Sequence, residues 1–220
     1  MDYFPIFLSL KIAVIATVIV LIIGVPTARF LAHSSFRGKE TFETLLILPM
    51  VLPPSVIGYG LLLLIGKRGP IGKLLNSLFG INLIFTWRAS CIAAVVVALP
   101  LMYQSCKAAF LNIDPNYEKV ARTLGANEFQ IFFKISLPLA WPGILSGIAM
   151  SFARALGEFG ATLMVAGNIP GKTQTIPLAL YYAVENGDKV TSNILMSMVI
   201  LSSFVLIYGL NKWLKSIHYN

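Results

Sequence analysis

The chain has 220 residues, of which 57% are hydrophobic and only 12% charged, and its mean hydropathy is +0.79. A soluble globule carries about a quarter of its residues charged, so the composition excludes one and describes a polytopic membrane protein. The formal charge of +8 does not indicate a nucleic-acid partner, because the Lys and Arg residues mostly flank apolar runs instead of clustering on one face.

A hydrocarbon core of about 30 Å needs about 20 apolar residues in helix, and five runs meet that length: residues 4–31, 42–65, 84–110, 139–165 and 190–210. The first has no basic leader and is longer than a signal-peptide core, so it is expected to remain as an anchor, with Lys11 snorkelling to the outer surface. The second carries Pro49, Pro53 and Pro54. Each proline removes a backbone donor and clashes with the preceding turn, which predicts a kinked or locally unwound helix. Irregular backbone at membrane depth is tolerated only against protein or a water-filled cavity. These prolines are therefore candidates for a pore-lining or gating helix, with a static kink filled by packing as the equal alternative. In the third run Cys91 and Cys106 lie fifteen positions apart, about 22 Å along a helix. That is too far for a disulfide, so both are expected to be packing residues.

A polar stretch, residues 112–138, separates the third run from the fourth. Asp114 followed by Pro115 is a helix start and Gly125 a stop. Between them Val120, Ala121 and Leu124 are expected to form an apolar face, with Glu118, Lys119 and Arg122 around the other side. Asn127 can cap a second short helix in a capping box with Gln130. That helix offers Phe129, Phe132 and Phe133 and is expected to end before Pro138. Two short helices joined at a glycine, each with an apolar patch, fit a knob built for a partner's groove. A hairpin folded back onto its own membrane domain is the other reading the residues leave open.

In the fourth run Gly143, Gly147, Ser151 and Ala155 recur every fourth residue, a small-residue ridge that lets another helix approach closely, within the chain or in a second copy. Arg154 and Glu158 stand one turn apart on the same helix face. An ionisable residue at membrane depth is costly and is a functional candidate by default. Arg154 could hold an oxyanion in passage with Glu158 moderating its grip, or the pair could fix the rotation of the helix. Residues 176–184 form a run too short to cross, expected to lie on or dip into the membrane.

An external N-terminus places nine basic residues inside (Arg29, Arg37, Lys39, Lys107, Lys119, Arg122, Lys134, Lys212, Lys215) and six outside (Lys67, Arg68, Lys73, Arg88, Lys172, Lys189). The loops are short enough for the positive-inside rule, so the N-terminus is expected outside, with the hairpin and the C-terminus in the cytoplasm. Gly167 to Thr173, G-N-I-P-G-K-T, has three residues between its glycines where a phosphate-binding loop needs four, and it follows a membrane helix instead of a strand. It reads as an external turn. An intramembrane enzyme needs nucleophile, acid–base or metal groups brought together. The chain has only His33 and His218, both near membrane ends, and no carboxylate pair within a run. No catalytic residue, metal ligand or cofactor is expected. A channel or ion-coupled carrier is a better rival, since those also use broken helices and buried charge.

K-V-A-R-T-L-G-A with I-S-L-P downstream resembles the E-A-A-x-x-x-G…I-x-L-P coupling loop of bacterial ABC importer permeases. The matching positions are Ala121, Gly125, Ile135, Leu137 and Pro138. Lys119 stands where that family has Glu and Val120 where it has the first Ala, while Glu118 offers a carboxylate one position earlier. L-P-M-V-L-P-P-S-V-I-G-Y in the second run, F-A-R-A-L-G-E-F-G-A-T in the fourth and the following G-N-I-P-G-K-T-Q-T-I-P-L-A-L-Y are similar to the molybdate branch of the oxyanion importers. A tungstate, sulfate or thiosulfate importer of the same architecture is the runner-up.

The resemblance implies one all-α membrane permease domain over residues 1–220 with about five spans, in the plasma membrane of a bacterium or archaeon. It further implies a homodimer surrounding a pore, ATPase subunits docked on the coupling loops, and an external binding protein that delivers the anion. The ATPase-coupling residues would be Glu118, Ala121, Gly125, Ile135, Leu137 and Pro138. The candidate pore residues are Pro49, Pro53, Pro54, Arg154 and Glu158.

Overall fold

The computed structural model describes residues 3–218, all of it helix and connecting turns without strands. The side chains of Leu210, Lys215 and His218, on which part of the sequence reading rests, lie outside the described residues. In lipid every backbone polar group must be satisfied within the chain, and the long helices do this for the apolar runs. Helix α1 (Phe4–His33) is unbroken over 30 residues in spite of Pro26. Three short helices separate it from the next long helix, α5 (Trp87–Leu111).

The second apolar run divides into α2 (Lys39–Val51) and α3 (Pro54–Ile65), bent 117° from each other. A proline disfavours the helical region for the residue before it. Leu52 precedes Pro53 and Pro53 precedes Pro54, and both are extended, with ψ of 143° and 138°. Pro49 stays inside α2. No residue of α2 is fully buried; Leu46 and Ile47 pack partly against the core, and Glu43 pairs with Lys107 of α5 at 2.7 Å. Helix α4 (Pro70–Phe79) was not foreseen. Ile71, Leu74 and Leu78 make one exposed apolar stripe along it, and Gly80 ends it at φ +65°.

The polar hairpin holds α6 (Pro115–Thr123) and α7 (Glu128–Ile131), and α8 (Leu137–Leu156) follows. The fourth run is not the single span that its hydropathy predicts. It stops at Gly157 and resumes as α9 (Gly160–Ala166), because Gly157 is a weak helix former and the Glu158 side chain caps α9 instead of continuing α8. Helices α10 (Ile176–Glu185) and α11 (Lys189–His218) complete the chain. The short run at 176–184 is thus a ten-residue helix. Its first amide, on Ile176, donates to buried Ser9 Oγ of α1 at 2.8 Å.

Among the described residues three continuous helices are long and apolar enough to cross a membrane: Phe4–His33, Trp87–Leu111 and Glu128–Leu156. The bent α2–α3 pair makes a fourth if it is one span. The core lies where α1, α5 and α8 meet. Ala94, Ala98, Met102, Cys106 and Phe110 of α5 pack there against Ala16, Val20, Ala28 and Leu31 of α1. Gly24 permits this approach, since a Cβ there would sit 2.7 Å from Met102 Cγ. Cys91 and Cys106 are free and buried, as packing residues should be. Lys11 rests its ammonium 4.0 Å from the centre of the Trp87 ring.

Candidate functional site

Local rules build the hairpin. Asp114 Oδ1 accepts the Asn116 N–H at 2.9 Å, and Pro115 follows where a missing N–H costs nothing. Gly125 turns the chain at φ +85°, and no atom lies within 4 Å of where its Cβ would be. Backbone conformation therefore selects glycine here, not crowding. Asn127 and Gln130 form the expected capping box, with bonds of 2.8 and 3.0 Å. The expected stop before Pro138 does not occur. Helix α7 runs through a π turn, Phe132–Ser136, straight into α8, whose first turn contains Pro138. The Leu137 N–H reaches back five residues to the Phe132 carbonyl. The widened turn makes room for a proline ring that would press on the Lys134 carbonyl in a regular helix.

The two faces of α6 differ from the expected division. Its buried residues are Glu118 and Ala121, while Val120 and Leu124 face outward, 56% and 81% exposed, on a stripe with Tyr117. The reason is electrostatic. Glu118 Oε1 accepts from Arg29 Nη2 of α1 at 2.9 Å and from Ser136 Oγ of the π turn at 2.8 Å, and Arg122 Nη2 lies 3.4 Å from Oε2. Burial alone would raise the carboxyl's pKa, but hydrogen bonds from Arg29 and Ser136 and the Arg29 charge outweigh it, so Glu118 is held below the ordinary carboxylate range. Arg29 also rests against the Phe110 ring, and its Nη1 lies 2.8 Å from the His33 ring nitrogens. Across the Gly125 turn Arg122 grips Glu128 with two bonds, 2.6 and 3.1 Å, joining α6 to α7.

Of the sequence-predicted coupling residues, Glu118 and Ala121 point inward and Gly125 forms the exposed turn. Ile135 and Leu137 are half-buried, and Pro138 is exposed on the first turn of α8. The outward apolar surface instead consists of Tyr117, Val120, Leu124, Phe129 and Phe133. Phe129 and Phe133 touch with their rings tilted at 47° and 4.4 Å between ring centres, while Phe132 turns inward toward Phe110. The spacing of 117, 120 and 124, three and four apart, was the available signal for this stripe.

The candidate pore residues gather around two helix breaks that pack together. A Cβ on Gly160 would sit 2.8 Å from Pro54 Cβ, and one on Gly58 would sit 2.9 Å from Ala161 Cα, so α3 and α9 are in close backbone contact. Pro53, Pro54 and Glu158 thus share one region, with Pro49 in the last turn of α2. Glu158 is 3% exposed, and both its oxygens are engaged: Oε2 with Arg154 Nη1 at 2.6 Å, Oε1 with the Ala161 N–H at 2.9 Å. Arg154 keeps a third of its side chain exposed.

The small-residue ridge packs within the chain. Gly143 lies against Ala109 of α5, Ser105 Oγ donates to the Gly143 carbonyl at 2.8 Å, and Ser151 Oγ donates to the Ala98 carbonyl at 3.3 Å. In the Gly167–Thr173 turn the Thr173 hydroxyl accepts the Ile169 N–H and donates to the Gly167 carbonyl, so its bonding closes the turn itself.

Residues 20–216 match the family described as binding-protein-dependent transport system inner membrane component. The chain is similar to the molybdenum transport system permease protein ModB of Escherichia coli (strain K12), at 41% identity over 218 residues, 98% of this chain and 94% of that one. It is 31% identical over 203 residues to the sulfate transport system permease protein CysT of Salmonella typhimurium, covering 92% of this chain and 73% of that one. Among solved structures it resembles the inward-facing MetNI methionine ABC transporter, with a TM-score of 0.75 at 14% identity over 97% of this chain and 94% of the other.

Proposed function

The chain belongs to the inner membrane components of binding-protein-dependent transport systems, and from that premise we propose that it is the permease through which an ABC importer takes up molybdate. The protein is a transport subunit with the ABC importer permease fold, and ATP hydrolysis belongs to a separate subunit. Molybdate is favoured over sulfate by the higher identity and fuller coverage of the molybdenum permease.

The observation that carries the coupling reading is the outward stripe of Tyr117, Val120, Leu124, Phe129 and Phe133 on a hairpin capped at both helix starts. So much aromatic and aliphatic surface on a polar excursion calls for a partner's groove, and the ATPase is that partner. The hairpin then lies in the cytoplasm, with the N-terminus outside and the external binding protein meeting the opposite face. Two copies pair through a face that includes α2, none of whose residues is fully buried in its own chain, and the translocation path follows the paired breaks at Pro53–Pro54 and Glu158.

The test is co-purification with the ATPase, reconstitution into liposomes, and measurement of ATP hydrolysis and molybdate uptake in the presence of the binding protein. Uptake that depends on ATP and on both partners is expected. Uptake that persists without the ATPase would make the chain a channel or an ion-coupled carrier instead.

A further inference from the structure

Helix α7 continues through the π turn into α8 and buries Ile131, but α6 is attached to the rest of the chain through very few groups. Glu118 and Ala121 are the buried residues of α6, and Ala121 offers one methyl group. Glu118, in contrast, bonds directly to α1 through Arg29 and to the π turn through Ser136. Arg29 in turn lies on the Phe110 ring of α5. One buried carboxylate thus links α6, the outward-facing arm of the hairpin, to α1 and to the turn that leads into α8. That turn is a π segment, where bonding reaches back five residues; such turns are uncommon and often sit at functional positions.

We infer that the Glu118–Arg29 pair, with Ser136, is the joint that passes displacement of the hairpin to α1, so that Glu118 is a positioning residue for transport and not a contact to the ATPase. The inference rests on the hairpin being the ATPase-coupling element. An apolar surface meets the partner, and a charge-assisted bond behind it transmits the movement. Charge-assisted hydrogen bonds are the strong and geometrically defined ones, which suits a joint that must hold its direction under load. The sequence pattern did not give this division of labour, because it placed Glu118 on the outer side.

The experiment compares the unmodified transporter with Glu118→Gln and with the double variant Arg29→Gln, Glu118→Gln, each reconstituted with its ATPase and binding protein. The readout is molybdate moved per ATP hydrolysed. Glu118→Gln alone strands Arg29 in a poorly solvated place and can fail to fold. The double variant removes both charges at similar volume and keeps the fold testable. We expect it to bind the ATPase and to lose about tenfold in molybdate moved per ATP, within the range of coupling between sites.

A bis-thiol reagent joining Arg29→Cys to Glu118→Cys, in a background with Cys91 and Cys106 replaced by Ala, should restore that ratio and lose it again on cleavage of the reagent. An unchanged ratio in the folded, ATPase-bound double variant would overturn the joint. Loss of ATPase binding in the double variant would overturn it too, by placing Glu118 in the docking surface. If the unmodified chain binds no ATPase, the coupling reading itself fails, and this result is distinct from both.

Discussion

Gly125 is the residue on which the hairpin's shape depends, since the turn needs a positive φ that proline's ring forbids. Gly125→Pro should leave insertion and pairing intact while ATPase co-purification and molybdate uptake fail together; normal uptake at normal expression would remove the hairpin from the coupling role. Glu118 adds a pH dependence. Its pKa is lowered in the fold, so its contribution to stability is complete above the unfolded value of about 4.3 and is lost as pH falls through the lower folded value. Protease sensitivity of the hairpin should therefore rise only in acid. Glu128, held low by Arg122, titrates in the same direction, so the double variant Arg29→Gln, Glu118→Gln should diminish the acid step without abolishing it. Both hairpin caps and the Gly125 turn were legible in the sequence because their partners lie within a few residues. The burial of Glu118 was not, because its partner Arg29 stands on another helix.

At the scale of elements, the Gly143–Ala155 ridge was legible as a close-packing surface, and the structure supplies α5 as what it packs against. Gly143→Leu forces a side chain into the Ala109 contact and should destabilise the single subunit by about 1–3 kcal/mol. A thermal melt in detergent measures this, and an unchanged melt would argue that the seam is not formed within one chain. The paired breaks make a second prediction. Arg154→Gln leaves Glu158 buried with only the Ala161 amide, so the yield of folded protein should fall. Adding Glu158→Gln keeps an oxygen for that cap and should restore the yield. Uptake restored along with yield would exclude a direct anion role for Arg154, whereas uptake still lost would support one. The break before α3 was readable from consecutive prolines, since each restricts its predecessor locally. The break before α9 was hidden, because hydropathy runs across Gly157 and the capping bond depends on three-dimensional placement. The π turn was hidden for a related reason: Pro138 signals a stop unless the preceding turn widens.

At the scale of the whole molecule, hydropathy located the membrane segments but not their continuity. It gave five runs, of which the second is folded sharply at 52–53 and the fourth is divided at 157–159. Reporter fusions test the orientation directly: residues 69–79 and 168–188 should report outside, and 115–136 and the C-terminus inside. A cytoplasmic signal from 168–188 would overturn the proposed topology. The absence of any buried residue in α2 has a consequence for the life of the newly made subunit. A helix that is only partly packed inside its own chain, through Leu46, Ile47 and the Glu43–Lys107 pair, opens at lower free-energy cost than a core helix, so in a solitary copy its amides should exchange hydrogen early and its connecting loops should be cut first by membrane proteases. A second copy covering α2 would slow both. The same helix would then let cellular quality control distinguish an orphan subunit from an assembled one, and match the surviving amount of this chain to its partners.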